Sequence, residues 1–280
     1  MNPTIGVTGV TGNLGAKVAA RLADRGIAQR LITRRPEAAP ALPNAEVVKA
    51  DYADATAVGT ALDGVQTLFM VSAKESADRV DVHRAFVDAA AGAGVRHVVY
   101  TSLYGAASDA VFTLARDHWA TEEHIRASGM QWTFLRDNLY LDFVPLFGGS
   151  DGVIRGPAGI GEFSAIARDD IADVAVAVLL SPSEHAGQTY DLTGPEEMTM
   201  DAAAAVISEL TGRQLRYVEE TLAEAYASRA SYGAPDWQVD AWVSTYLAIA
   251  AGEMGGISDC VERITGHRPT SLRELLTRSS

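Results

Sequence analysis

Short runs of β-branched and apolar residues alternate with longer stretches in which apolar positions recur every three or four residues, and this rhythm persists through the first half of the chain. The expected strands are Ile5–Thr8, Arg30–Thr33, Glu46–Lys49, Thr67–Val71, His97–Thr101 and Trp132–Leu135, each too short for a stable helix and bounded by turn residues. Between them, Leu14, Val18 and Leu22 fall on one helical face that ends at Gly26, and Val82, Phe86, Ala89 and Ala93 form a second stripe that ends at Gly94.

Strands separated by helices of this length imply repeated βαβ units joined by right-handed crossovers. The fold class is therefore α/β, with a doubly wound, mainly parallel, Rossmann-type sheet. After about Leu141 the rhythm changes. A Gly-rich stretch from Gly148 to Gly161 precedes a helix expected to be capped by Asp170 and to run through Ile171–Leu180. A late strand at Thr189–Thr193 and about four helical segments from Asp201 onward follow. The expected organisation is a nucleotide-binding domain over residues 1–140, its sheet completed by segments from 165–195. Residues 141–280 form a smaller, mostly helical C-terminal substrate lobe with returning elements, and the whole reads as one compact unit.

Directly after the first strand comes Gly9-Val10-Thr11-Gly12-Asn13-Leu14-Gly15, with glycine at every third position where the first helix opens. Gly9 permits the tight strand-to-helix turn, Gly12 lets the backbone approach a pyrophosphate, and Gly15 allows the helix to pack on the sheet. Thr11, Asn13 and Leu14 complete the loop, whose amides would face the phosphates. The competing reading is a glycine-rich turn without a ligand.

The end of the second strand bears on which dinucleotide fits. A site for NAD usually places Asp or Glu there, to hold the ribose 2′-hydroxyl. Here the segment reads Thr33-Arg34-Arg35-Pro36, and two guanidinium groups favour the 2′-phosphate of NADP(H). Asp51 and Tyr52, after the third strand, suit an adenine pocket, although Asp51 equally suits a helix cap. Val71, Ser72 and Thr101, at the ends of the fourth and fifth strands, complete the expected cofactor contacts.

Composition narrows the partners. With 23 basic against 36 acidic side chains the formal charge is −13, which disfavours nucleic acid and anionic membranes, since both need clustered cations. A single cysteine, Cys260, cannot close an internal disulfide, and no Cys/His grouping has zinc-ligand spacing, so no metal is expected. The N-terminal Met-Asn-Pro-Thr lacks the basic and apolar segments of a secretory leader, and the cytoplasm is the expected location. A small-molecule substrate is the expected partner, with a homodimer left open.

The glycine loop, Arg34, Lys49-Ala-Asp51-Tyr52 and the Tyr100-Thr-Ser102 strand end together resemble the NmrA-like, atypical short-chain dehydrogenase/reductase family, nearest its NADPH:quinone oxidoreductase branch. Leu135–Tyr140, Arg155–Gly159, Ala167–Ala172 and Tyr190–Pro195 extend the resemblance over nearly the whole chain. It implies an NADP(H)-binding Rossmann-type domain with a C-terminal lobe closing a substrate cleft.

Standard members of that superfamily carry Tyr-x-x-x-Lys on the helix after the fifth strand, and this chain does not. His118-Trp-Ala-Thr-Glu122 occupies the equivalent helix with the same four-residue separation. Without the phenol, ketone reduction forgoes a proton-transfer contribution of about 10²–10⁴. A quinone, which accepts hydride readily, does not need it. His118, Tyr104 and Asn138 are the candidate hydrogen-bond donors, with Ser102 placed to orient them. For His118 the alternative is a core residue, and for Ser102 a hydroxyl that satisfies the strand end. Phe143, Phe147, Trp237, Trp242 and Tyr246 offer either core packing or an apolar wall for a flat substrate. The expected function is NADPH-dependent hydride transfer to a quinone or a similar small electrophile. The alternative is a non-catalytic redox sensor acting through a protein partner.

Overall fold

The computed structural model describes residues 4–278, so Met1 to Pro3 of the N-terminal stretch lie outside the described residues. The chain runs β1 (Ile5–Thr8), α1 (Asn13–Asp24), β2 (Gln29–Thr33), β3 (Ala45–Lys49), α2 (Ala55–Ala61), β4 (Thr67–Met70), α3 (Arg79–Gly92), β5 (His97–Leu103), α4 (Thr113–Ala127) and β6 (Gln131–Asp137). It continues through β7 (Val153–Gly156), α5 (Arg168–Leu180), β8 (Gln188–Leu192), α6 (Met200–Thr211), β9 (Arg216–Glu219), α7 (Leu222–Arg229), α8 (Asp236–Ala250), α9 (Cys260–Thr265) and α10 (Leu272–Arg278).

A seven-stranded sheet has the order β3-β2-β1-β4-β5-β6-β8, with parallel pairing from β3 through to β5. All residues of β1 and β4 are buried, as expected for strands covered by helices on both faces. On one face Leu68, Met70, Val98, Tyr100 and Phe134 pack with Phe86 of α3 and Ile125 of α4. The other face is covered by α1 and α5. These two helices are tied by Lys17–Asp169 at 2.9 Å and by Arg21 to Asp169 and Asp173, both at 2.7 Å. The strand order reverses direction between β1 and β4, and at such a switch point the crevice beyond the carboxyl ends of the strands is open to a ligand.

By packing, the chain divides into two compact units. The first comprises residues up to Leu103, Asp117–Arg136 and Arg168–Tyr190; the second comprises Tyr104–Arg116, Asp137–Ala167 and Asp191 onward. The second unit holds α6–α10 and a two-stranded parallel sheet of β7 and β9. Its turns are well determined by sequence: Thr221 and Glu224 form a capping box at the start of α7, and Gly212 ends α6 in the left-handed region. No helix among the described residues is long and apolar enough to cross a membrane.

Three expectations need correction. The stretch Gly148–Gly161 contains strand β7, whose partner β9 comes from residues too distant in sequence for local periodicity to reveal. Helix α5 starts at Arg168, so Asp170 is a buried residue of its first turn and not its cap. In α3 the fully buried residues are Arg79, His83, Phe86, Val87 and Ala90; Val82, Ala89 and Ala93 are only partly buried, with Ala89 and Ala93 packed against the same core. Two polar residues occupy core positions there, and a purely apolar criterion shifts the face.

Candidate active site

The loop after β1 is built for close approach. Gly9 adopts φ 67°, and a Cβ there would sit 2.8 Å from Val71. A Cβ on Gly15 would lie 2.5 Å from backbone atoms of both Thr8 and Gly9, which cannot give way. Gly12 closes the turn by donating to the Gly9 carbonyl at 2.9 Å and serves as the N-cap of α1 with no side-chain cap. Asn13 is the first helical residue, and Leu14 turns its side chain into the core. The first turn of α1 carries no acidic side chain. Its amides therefore present an unblocked positive end. The bare backbone and uncapped helix fit a pyrophosphate.

A cleft of about 390 Å³ opens from this loop. Gly9, Thr11, Arg34, Asp51 and Tyr52 line it, together with the segment from Val71 to Ser76. Arg34 is exposed there, while the adjacent Arg35 is not among the residues lining the cleft. The Asp51 carboxylate accepts from the Ala53 amide at 3.1 Å, and the cap of α2 is Asp54, which accepts from Ala57. Asp51 thus belongs to the cleft wall and not to the helix cap. Tyr52 stacks on Phe86 with centroids 4.0 Å apart, and its hydroxyl lies 2.6 Å from Thr8 Oγ1 and 2.7 Å from the Val71 carbonyl. Burial raises the pKa of this phenol and keeps it a donor. Thr101 stands behind the wall: its hydroxyl accepts from the Ser72 amide at 2.8 Å. Sequence reasoning missed Thr8 as the hub of this region, and Ala73 to Ser76 as wall residues. The only signal available was their position just past a strand end.

The three candidate donors, His118, Tyr104 and Asn138, and the orienting Ser102 are all engaged elsewhere. His118 is buried, its Nε2 receiving Nη2 of Arg79 at 3.1 Å and its Nδ1 lying 3.0 Å from the Tyr100 hydroxyl. Burial first, then the Arg79 charge, drives its pKa well down, so it stays neutral. Ser102 donates to the fully buried Glu122 at 2.6 Å, and Arg136 grips the same carboxylate at 2.9 and 2.7 Å. Asn138 spends its amide nitrogen on Ser164 Oγ and the Met254 carbonyl, both at 3.0 Å, and its oxygen on the Leu139 amide. Tyr104 donates to the Gly255 carbonyl at 2.6 Å and is the one member of the four that is not buried. His118 and Glu122, spaced as a catalytic pair would be, therefore serve as the buried ties of α4 to α3, β5 and β6.

In the second unit a cavity of about 530 Å³ is lined by Phe147, Tyr232, Trp242 and Tyr246, with Arg155 and Arg229 at its margin. The Arg229 guanidinium stands 5.3 Å from the Tyr246 ring centroid. A Cβ on Gly156 would strike that ring at 2.4 Å, so only glycine admits it. Phe143 is exposed beside Tyr140, and neither Phe143 nor Trp237 lines this cavity.

A glycine cradle at the switch point of a mainly parallel sheet, with a guanidinium at the end of β2, defines a nucleotide-binding Rossmann-type protein. Residues 9–182 match the family described as NAD(P)H-binding, and the chain belongs to that family. It is similar to quinone oxidoreductase 2 of Escherichia coli, at 32% identity over 96% of each chain. It is also similar to an NAD(P)H azoreductase of Xenophilus azovorans, at 30% identity over 96% of this chain and 95% of the other. The crystal structure of an NADPH-dependent quinone oxidoreductase from E. coli complexed with NADPH has a TM-score of 0.88, at 31% identity over 98% of this chain and 99% of that one.

Proposed function

We propose that this protein is an NADPH-dependent oxidoreductase that delivers hydride to a quinone or a similarly electrophilic small acceptor. The observation that carries this reading is the pairing of a complete phosphate cradle with Arg34 on the same cleft. The α1 amides hold the pyrophosphate, Arg34 pairs with the 2′-phosphate, and Asp51 and Tyr52 border the adenine. When bound, the cofactor supplies the hydride.

The absence of an unengaged acid among His118, Ser102 and Asn138 favours an acceptor that needs none at the moment of transfer. A quinone takes the hydride onto its conjugated system, and one proton from water then gives the hydroquinone. Two relatives whose names describe quinone and azo reduction support an aromatic electron acceptor.

Purified protein mixed with NADPH and a panel of quinones and azo dyes tests this, with the nicotinamide absorbance followed under anaerobic conditions. Consumption with at least one acceptor, faster with NADPH than with NADH, is expected. Tight NADPH binding with no consumption above the protein-free rate for any acceptor would overturn it in favour of a ligand-sensing role.

A further inference from the structure

The wall of the cleft that leaves β4 is held almost entirely by side chains. The Val71 amide donates to Thr8 Oγ1 at 2.9 Å, the Val71 carbonyl accepts from Tyr52, and the Ser72 amide donates to Thr101 Oγ1. Both backbone groups of Ala73 are taken by α3: its amide donates to His83 Nε2 at 2.8 Å, and its carbonyl accepts from Arg79 Nε at 3.1 Å. Arg79 and His83 are one helical turn apart, and both are buried.

The bonds fix the state of the imidazole. Nε2 accepts, so the proton lies on Nδ1, which faces Thr121 Oγ1 at 2.8 Å; that hydroxyl donates in turn to the Asp117 carbonyl at 2.8 Å. Burial first, and then the Arg79 charge, holds the His83 pKa down to about 3, which keeps this state in place. Arg79 is steadied from behind by His118. The far side of the same wall bears on the glycine loop, since Val71 is the atom group that a side chain on Gly9 would strike.

We propose that His83 and Arg79 are positioning residues for the nicotinamide nucleotide, fixing the Val71–Ser76 wall through both backbone groups of Ala73 before the cofactor arrives. The proposal rests on the cofactor reading of this cleft. Its physical content is preorganisation: a wall left without these partners must be ordered by the ligand, and affinity falls by that cost.

Two substitutions separate the bond from the packing. In His83→Gln the amide oxygen reaches the place of Nε2 and still accepts from Ala73. In His83→Asn the shorter side chain reaches only the place of Nδ1, so the Thr121 contact is kept and the Ala73 contact is lost. NADPH affinity is read from the fluorescence of the bound nicotinamide, alongside the thermal midpoint and the split of kcat from KM. The expected result is binding about tenfold weaker in His83→Asn than in His83→Gln. Thermal midpoints should be similar, and kcat at saturating NADPH unchanged.

Equal affinity in the two variants, whether at the wild-type level or equally weakened, overturns the positioning role and leaves His83 as core. The wild-type titration distinguishes the two readings: wild-type binding with equal variants overturns this inference alone, whereas no wild-type binding overturns the cofactor reading too. If neither His83 variant folds, Thr121→Val and Thr121→Ser replace them. Weaker NADPH binding in the valine variant alone supports the proposal, and equal binding overturns it.

Discussion

In the loop after β1, glycines 9 and 15 hold positions where a side chain would strike Val71 or the loop's own backbone; on α4, His118 and Glu122 do the reverse, placing side chains deep among protein partners. Both regions lie at the carboxyl ends of strands in one sheet. Both carry spacings that signal chemistry. The difference is that a glycine's role is settled by sterics and travels with its local sequence, whereas a histidine's role depends on which partners the fold brings to its two nitrogens.

That contrast is open to direct attack, beginning where the largest effect is expected. Gly15→Ala forces a methyl onto rigid backbone at 2.5 Å, a clash with no flexible atom to yield. NADPH affinity should fall by about 100-fold. An affinity within threefold of wild type would show that the loop is not the phosphate site. His118→Leu removes the partner of Arg79 Nη2 and one partner of the Tyr100 hydroxyl, both buried, and should cost about 2 kcal/mol in urea unfolding. At saturating NADPH its kcat should stay within about threefold of wild type; a loss approaching the general-acid range of about 10² would restore His118 as a catalyst.

Arg34→Ala should weaken NADPH about tenfold, the size of one charge-assisted bond, and leave NADH unaffected. Arg35→Ala, at a residue that does not line the cleft, should stay within about twofold by calorimetry.

Acid sensitivity gives a smaller effect with a definite sign. Burial lowers the pKa of His83 to about 3 and of His97 to about 4, and it carries His118 well below its ordinary value of 6.5. Below pH 6.5 the unfolded chain therefore binds protons that the folded one does not, so this stability is complete above 6.5 and is lost as pH falls toward 4. Asp137, whose carboxyl is pushed well up by burial, acts in the opposite sense. The net slope should be on the order of 1 kcal/mol per pH unit, and shallower in His83→Gln. A flat profile between pH 7 and 5 would mean that these imidazoles are not held neutral. Smallest of all, Ser102→Ala removes one of several bonds to Glu122 and should cost about 1 kcal/mol with no change in kcat.

The order of strands in the first half, the glycine loop and the cation after β2 were legible because each rests on local pattern: alternation, spacing, a strand end. Strand β7 was not, because its hydrogen bonds go to Arg216–Glu219. The inward face of α3 was legible only in part, because Arg79 and His83, polar by composition, are buried where they bond Ala73. His118 was legible as inward-facing but not as a support for Arg79, since nothing in its neighbourhood along the chain names that partner. Sequence reaches sites made of backbone sooner than sites made of side chains in contact across 30 or more positions.

The tie between α1 and α5 has a further meaning for how the protein is made. Lys17 and Arg21 belong to the helix that follows the phosphate loop, yet their carboxylate partners come 152 or so residues later. A nascent chain emerging from the ribosome has its glycine loop outside the exit tunnel long before Asp169 and Asp173 exist to brace it. The bracing of α1 against α5 is therefore a late event of synthesis, and a chain arrested short of α5 would carry the whole glycine motif without the carboxylates that tie its helix down.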